Sequence, residues 1–355
     1  MKKLKVAIIG QGRSGMNIHG SYFTSDANEF YDVCYVADFD ETMLKKAQKL
    51  YPGCVTFSDW RQIFDVDVDI VVNASYSEMH YSVTKELLEN GKNVLVEKPF
   101  GRNRYECDTL MNIAKEKGVI LAVFQQTFLA PFFEDAKKKC TNGKIGDIVA
   151  INIKYNGFSR RWDWQTLQKK LGGSVYNTGP HPIGMALGFL DFDQRAEVRF
   201  SKLDLAMTSG DAEDYAKIIL TAPDKPFVDI EISASDAFSD YTIKLQGTRG
   251  TFKCTPEKYS IKYMVDSENE ERPYIEESIR NENGDPAYCK DNLVTHEESG
   301  EYEGNAFGYA TAKFYESLYY HVSQGKPLAV TPEIASQVIG VIETVHAQNY
   351  IPKKF

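Results

Sequence analysis

Lys5-Val6-Ala7-Ile8-Ile9-Gly10-Gln11-Gly12-Arg13-Ser14-Gly15 decides the fold, because a short apolar run ends directly on a Gly-x-Gly-x-x-Gly turn. Glycines at that spacing permit a tight turn and let backbone N–H groups approach a pyrophosphate at a helix start. The motif alone is weak; its context strengthens it. Asp38 closes the next apolar run, Val33 to Ala37, 23 residues beyond Gly15. A carboxylate there accepts the ribose hydroxyls of an adenosine and repels a 2′-phosphate, and Phe39 offers no cation to hold one. The pattern favours NAD over NADP, with Gly10, Gly12, Arg13, Ser14 and Asp38 as cofactor contacts. The bland alternative is a structural glycine turn, with Asp38 merely capping a helix over 40 to 51.

Further along, short apolar runs alternate with amphipathic stretches up to about residue 125. The runs Lys5 to Ile9, Val33 to Ala37, Val55 to Phe57, Asp69 to Asn73, Asn93 to Val96 and Val119 to Phe124 read as six parallel strands. Ser58 is the expected cap of one crossover helix, and Gly91 and Gly118 are expected helix ends. Right-handed crossovers then give an α/β Rossmann domain, a doubly wound parallel sheet over 1 to 125. From 126 to 355 the strands follow one another without helices between them, as in an open, mostly antiparallel α+β sheet. Val149, Ile151, Ile153 and Tyr155 should share one face, and further strands fall at 214 to 220, 227 to 234, 241 to 247 and 258 to 265. One helix is expected over 174 to 189. A closing helix over about 331 to 349 should be capped by Thr331, with Pro332 in its first turn.

The 355 residues suffice for about two domains, and no window approaches the roughly 18 unbroken apolar residues of a membrane helix. Only Val6 to Ile9 are apolar before Gly10, too short for a signal-peptide core, so a cytoplasmic protein is expected. Net charge is −9, but 13 acidic against 3 basic residues between 266 and 303 account for −10, which leaves the remainder near +1. That run reads as a solvated surface excursion. No basic stripe with interleaved aromatics marks a nucleic-acid partner. The six cysteines (34, 54, 107, 140, 254, 289) show neither CxxC nor zinc-ligand spacing, so reduced thiols and no metal are expected.

Chemistry concentrates in three places. Asn73 to His80 and Val96-Glu97-Lys98-Pro99 follow the fourth and fifth strands, at the carboxyl ends where open sheets bind ligands. Ser75, His80, Glu97 and Lys98 are therefore cofactor candidates. Pro99 ends the ladder and can fix the turn, through a cis bond, so that Lys98 is aimed at the cofactor. The third place is Gly172-Gly173-Ser174-Val175-Tyr176-Asn177-Thr178-Gly179-Pro180-His181, where Asn177 and His181 would share a helix face. A histidine suits proton transfer at cellular pH, and a lysine joins it if burial or a cationic nicotinamide lowers its pKa. Arg160-Arg161-Trp162-Asp163-Trp164 reads as a pocket wall, since indole faces pack against sugar rings. Tyr155, Trp162, Trp164 and Asn177 are thus candidate substrate contacts with Lys98 and His181. His19, His296, His321 and His346 read as structural histidines, and Trp60 as core.

These motifs, with Gly325-Lys326-Pro327 and Thr331-Pro332-Glu333, resemble the Gfo/Idh/MocA family of sugar oxidoreductases over nearly the whole chain. The resemblance implies a nucleotide-binding domain followed by an open sheet that forms the substrate pocket and the interface of a dimer or tetramer. It implies that Lys98 orients a reacting hydroxyl and that His181 takes its proton as hydride leaves for nicotinamide. Two departures stand out. Inositol-type members have aspartate where this chain has Asn177, and many members carry an arginine near Gln126 and Thr127, here neutral beside the nicotinamide. The expected substrate is an uncharged sugar, glycoside (at C3 of a glucoside) or cyclitol. A glycosidase using transient oxidation, and a non-catalytic nucleotide-binding regulator, are the alternatives; Lys98 speaks against the first, and retention of both Lys98 and His181 against the second. The YxxxK spellings at Tyr81 to Lys85 and Tyr309 to Lys313 are discounted as chance matches.

Overall fold

The computed structural model describes residues 2–355. Its first sheet contains β1 (Leu4–Ile9), β2 (Tyr31–Ala37), β3 (Val55–Phe57), β4 (Ile70–Asn73), β5 (Val94–Glu97) and β6 (Leu121–Phe124). They run parallel in the order β3-β2-β1-β4-β5-β6, the doubly wound arrangement. β4, β5 and β6 are buried at every position, because helices cover both faces of a parallel sheet. The crossovers include α1 (Gly20–Phe23), α2 (Glu41–Leu50), α3 (His80–Glu89) and α4 (Arg104–Lys117). α4 ends on left-handed Gly118 as expected, whereas the turn expected at Ser58 is capped by Asp59, whose carboxylate accepts from the Arg61 N–H. A π-helical turn, Gly15–His19, stands between the glycine motif and α1.

α5 (Pro131–Thr141) leads into the second sheet. Its strands are β7 (Ile148–Asn156), β8 (Glu197–Asp204), β9 (Tyr215–Thr221), β10 (Phe227–Ser233), β11 (Ile243–Gly247), β12 (Gly250–Cys254), β13 (Lys258–Tyr263) and β14 (His296–Glu301). The order is β14-β13-β12-β11-β7-β10-β9-β8, antiparallel throughout except for the parallel β7–β10 pair. Ile151, Ile153 and Tyr155 face the helices as expected, but Val149 does not. A register shift where β7 meets β11 leaves it 57% exposed. The inner face is covered by α6 (Ser174–Asn177), α7 (Pro180–Phe189) and α9 (Pro332–Gln348). The acidic excursion between β13 and β14 lies largely exposed.

α8 (Ala306–Gln324) crosses back to the first sheet. Its Phe314, Tyr315, Leu318 and Tyr319 join Val6, Ile8, Val36 and Val72 in one apolar cluster. Tyr315 stacks on Tyr22 at 4.4 Å, and its hydroxyl is hydrogen-bonded to His19 Nδ1 across the same core. The two halves of the chain are thereby packed together beneath the carboxyl ends of β1 and β4. Among the described residues, no helix is long and apolar enough to cross a membrane.

Candidate active site

The strand ends of the first sheet open into a cleft of about 460 Å³. Gly15 fits its turn only as glycine, since a Cβ would lie 1.9 Å from the Gly10 carbonyl oxygen. Gly12 is different: a Cβ there would meet no protein atom within 4 Å, and the residue lines the cleft. Its missing side chain leaves room for a ligand, which is what close approach of a pyrophosphate requires. Asp38 accepts the Gln11 N–H at 2.7 Å and the Asp40 N–H at 2.9 Å, one on each oxygen. The cap of α2 is Asp40, through the Thr42 N–H, so Asp38 is not the helix cap. Each Asp38 oxygen keeps a lone pair for a ribose hydroxyl. Glycine turn and carboxylate together fit a nicotinamide dinucleotide.

Ser75 donates to Asn73 at 2.7 Å, and buried His80 stands between two loops. The His80 Nδ1 is 2.9 Å from the Pro99 carbonyl and its Nε2 is 3.1 Å from that of Ser75. A neutral ring donates to only one of them, while burial holds the His80 pKa below its ordinary value. It ties the Ser75 loop to the Lys98–Pro99 turn, whose peptide bond is cis, and it lines the dinucleotide cleft as expected of a cofactor contact.

Glu97 carries the charge beneath that turn. Burial alone would raise its pKa, but His19, Lys98 and His80 outweigh burial and bring it to about 2. One carboxylate oxygen accepts the Lys98 N–H at 3.0 Å; the other lies 3.1 Å from His19 Nε2, poorly aligned for a hydrogen bond. Lys98 projects across the cleft, and its Nζ donates to the Asn177 carbonyl at 2.8 Å. Burial lowers its pKa, opposed by Glu97.

Asn177 and His181 do not share one regular helix. Pro180 has no N–H to donate, and the segment divides into α6 and α7 around Thr178 and Gly179. The start of α6 is fixed from below by Glu213. Gly173, at φ +104°, has no room for a side chain, since a Cβ would lie 2.3 Å from the Glu213 carboxylate. That carboxylate accepts the Val175 N–H at 2.9 Å and has His346 at 3.6 Å behind it. His181 Nδ1 is hydrogen-bonded to the Thr127 hydroxyl, and its ring lies parallel to Tyr155 at 6.2 Å. Burial first, and the Lys98 charge second, push its pKa down to about 3, so the ring is neutral.

A second cavity, about 770 Å³, opens beyond His181. Asn177 and Gln165 line both cavities, and Gln165 donates to the Asn177 side chain at 3.2 Å. Tyr155 and His181 line the larger cavity. Gln126, expected at the cofactor, lines the larger cavity rather than the dinucleotide cleft, with its buried side-chain oxygen unpartnered. The tryptophans also depart from expectation. Trp162 is 80% exposed and lines neither cavity. Trp164, turned by the Asp163-capped 3₁₀ turn, stands edge-on to Tyr76 at 5.1 Å and lines the dinucleotide cleft. Trp60 also lines that cleft, with the Arg61 guanidinium over its ring. Lys170 pairs with Glu78 at 2.6 Å, so the segment from 163 to 170 roofs the cleft from the other half of the chain. Thr127, Gln165, Tyr76 and Glu213 were not singled out by motif. Tyr76, inside the Asn73 to His80 stretch, and Thr127, next to Gln126, carried some sequence signal; Gln165 and Glu213 carried none.

Two family models match the chain: "Oxidoreductase family, NAD-binding Rossmann fold" over residues 4–125 and "Oxidoreductase family, C-terminal alpha/beta domain" over residues 137–349. D-glucoside 3-dehydrogenase of Escherichia coli K12 is 26% identical over 239 residues, 64% of this chain and 66% of its own length. The scyllo-inositol 2-dehydrogenase (NADP(+)) IolW of Bacillus subtilis is 26% identical over 187 residues, 52% and 51% of the two chains. Among solved structures, GenD2 from gentamicin A biosynthesis, in complex with NAD, superposes with a TM-score of 0.76 at 19% identity, covering 98% of this chain and 94% of its own. An NAD-binding protein from Listeria innocua superposes at 0.79 with 20% identity, covering 98% of each.

Proposed function

The chain belongs to the Gfo/Idh/MocA oxidoreductase family, and from that premise we propose that it oxidises a secondary ring hydroxyl of a sugar, glycoside or cyclitol, using NAD. The reading rests on one observation above others. Lys98 reaches from the dinucleotide cleft to Asn177, and Asn177 lines the cavity that holds the neutral base His181.

Gly10, Gly12, Arg13 and Ser14 would hold the pyrophosphate, and Asp38 the adenosine ribose. Bound there, NAD supplies a hydride acceptor at its nicotinamide ring. Lys98 donates a hydrogen bond to the reacting hydroxyl oxygen and stabilises the negative charge that grows on it as the proton leaves. His181 removes that proton at Nε2, because Nδ1 is engaged by Thr127. The carbon loses hydrogen with its electron pair, the oxygen loses a proton, and a ketone remains. Glu97 keeps a fixed negative charge near Lys98 that favours its ammonium form, while the Asn177 carbonyl holds the ammonium in place.

Asp38 supports NAD rather than NADP, because a carboxylate lining the dinucleotide cleft would repel a 2′-phosphate, and exposed Phe39 beside it offers no cation. C3 of a glucoside is the favoured position, in line with the glucoside dehydrogenase relative. On the outer face of the second sheet, Phe200 pairs with Ile219 and Phe227 lies on the next strand, a strip that suits self-association as a dimer or tetramer. The test is to incubate the purified protein with NAD and a panel of cyclitols, free sugars and glycosides, and to search by mass spectrometry for products lacking two hydrogens. Glycoside cleavage without oxidised product would replace this reading with the hydrolase. Tight NAD binding with no chemistry would replace it with a regulator.

A further inference from the structure

We propose that the substrate is an uncharged glycoside whose aglycone is apolar, with the sugar ring at His181 and the aglycone against the start of α8. The inference rests on the dehydrogenase reading above and deepens it. The first ground is size. The cavity of about 770 Å³ is in the range that encloses a whole drug-sized ligand, and one pyranose or cyclitol ring leaves most of it empty.

The second ground is the chemistry of its walls. Near the shared residues Gln165 and Asn177 the lining is polar, with His181, Thr127 and Gln126. Elsewhere in the same lining, Ala130 at the cap of α5, Phe132 of α5, and Ala306, Phe307 and Ala310 of α8 present only hydrocarbon side chains. A second sugar ring would bring hydroxyls to side chains that cannot hydrogen-bond them, at a cost in desolvation. An alkyl or aryl group loses nothing there and gains by leaving water. Phe307 is 45% exposed without a ligand, an aromatic face available for contact. Its position is set independently of any ligand, because Asn305 accepts the N–H groups of Phe307 and Gly308.

The third ground is charge. The ionic groups lining the cavity are already engaged within the chain: Arg161 with Asp163 at 2.6 Å, Lys154 with Glu231 at 3.8 Å, and Glu213 with His346 at 3.6 Å. Asp214 accepts the N–H groups of Ala206 and Met207. Both lining cations therefore already have a carboxylate partner, which favours an uncharged substrate over a carboxylate or phosphate.

The experiment compares phenyl glucoside, methyl glucoside, a glucose disaccharide, free glucose and a cyclitol on the NAD-loaded wild type and on Phe307→Ala. For each ligand, kcat/KM is measured for oxidation and Kd by calorimetry. The effect of Phe307→Ala is read as the ratio of phenyl to methyl glucoside on the same protein, so a general loss of activity cancels. The proposal expects phenyl glucoside to exceed methyl glucoside in kcat/KM by about tenfold or more, and Phe307→Ala to remove most of that advantage through KM. If nothing is oxidised but phenyl glucoside binds and Phe307→Ala weakens it, the aglycone wall stands and the dehydrogenase reading falls. A preference for the disaccharide, free glucose or the cyclitol overturns the proposal, as does a phenyl advantage that Phe307→Ala leaves unchanged.

Discussion

Replacing Thr127 by valine tests how His181 is made a base. The two side chains are nearly equal in size, so the change removes the hydroxyl that holds Nδ1 and little else. The proposed mechanism requires Nδ1–H to donate to the Thr127 hydroxyl, which puts the lone pair for the substrate proton on Nε2. Without that acceptor a half-buried N–H loses its partner, at about 1–3 kcal/mol, and the ring drifts toward the other tautomer, which carries its proton on Nε2 and cannot accept another there. Each 1.4 kcal/mol is about tenfold in rate, so kcat should fall about 10- to 100-fold. Affinity for NAD should hold, because Thr127 lines the larger cavity and not the dinucleotide cleft. Thr127→Ser retains the hydroxyl and should recover most of the rate. Two assays read the effect: the single-turnover rate of NADH formation, and nitrogen chemical shifts of the His181 ring, which report its tautomer directly. Thr127→Val with the wild-type rate and the wild-type tautomer would refute the reasoning.

Lys98→Ala should lower turnover by at least about 10² while calorimetric NAD affinity stays nearly unchanged; equal turnover would remove the mechanism. Asp38→Ala should weaken NAD by roughly tenfold or more, through loss of charged hydrogen bonds to ribose, and should raise NADP use relative to NAD. An unaltered ratio in paired kinetics would contradict the ribose assignment. Glu213→Gln tests the support beneath α6. Burial alone would lower the His346 pKa, but the nearby Glu213 carboxylate raises it above the ordinary value. A histidine whose folded pKa is raised adds stability that is full below about pH 6.5 and is lost as pH rises through the folded pKa. Glutamine still accepts the Val175 N–H but removes the charge. Tm measured across about pH 5 to 8 should therefore lose part of its decline toward the alkaline side, and an identical slope in the variant would exclude the pair as its source.

The first sheet was legible because its signals are local. A parallel strand buried on both faces reads as a continuous apolar run, and the glycine turn and Asp38 are fixed in spacing by the loops that carry them. The second sheet was legible only where strands alternate cleanly. β8 alternates weakly, since most of its residues are partly or fully exposed, and β14, His-Glu-Glu-Ser-Gly-Glu, has no apolar side at all; it is held by pairing with β13. α8 did carry a helical period in Ala306, Ala310, Phe314 and Leu318, but its aromatic-rich sequence serves a partner far away in the chain. That packing against the first sheet could not be read from spacing.

The same division runs through the site. Lys98, His181, Asp38 and the glycines stand beside strand ends or in short motifs, so their neighbourhood follows from topology. What sets their chemistry comes from long range: Thr127 reaches His181 across 54 positions, Glu213 reaches Val175 across 38, and Lys98 reaches Asn177 across 79. The tryptophans show the limit most sharply. Residue type marked Trp162 and Trp164 alike as candidate sugar platforms, yet the Asp163 cap turns Trp164 onto Tyr76 over the dinucleotide cleft and leaves Trp162 outside both cavities. A sugar bound as proposed in the larger cavity would therefore be met by Tyr155, Asn177, Gln126 and Thr127 rather than by an indole face. Recognition of its ring then depends on hydroxyl hydrogen bonds, which are exacting about stereochemistry, while the aliphatic and aromatic wall at α8 asks only for apolar surface. Such a site should discriminate strictly among sugar epimers and tolerantly among aglycones. Comparing glucoside, galactoside and mannoside at constant aglycone, against several aglycones on one sugar, separates the two kinds of selectivity. Equal rates for the three epimers would show that these polar residues do not read the ring.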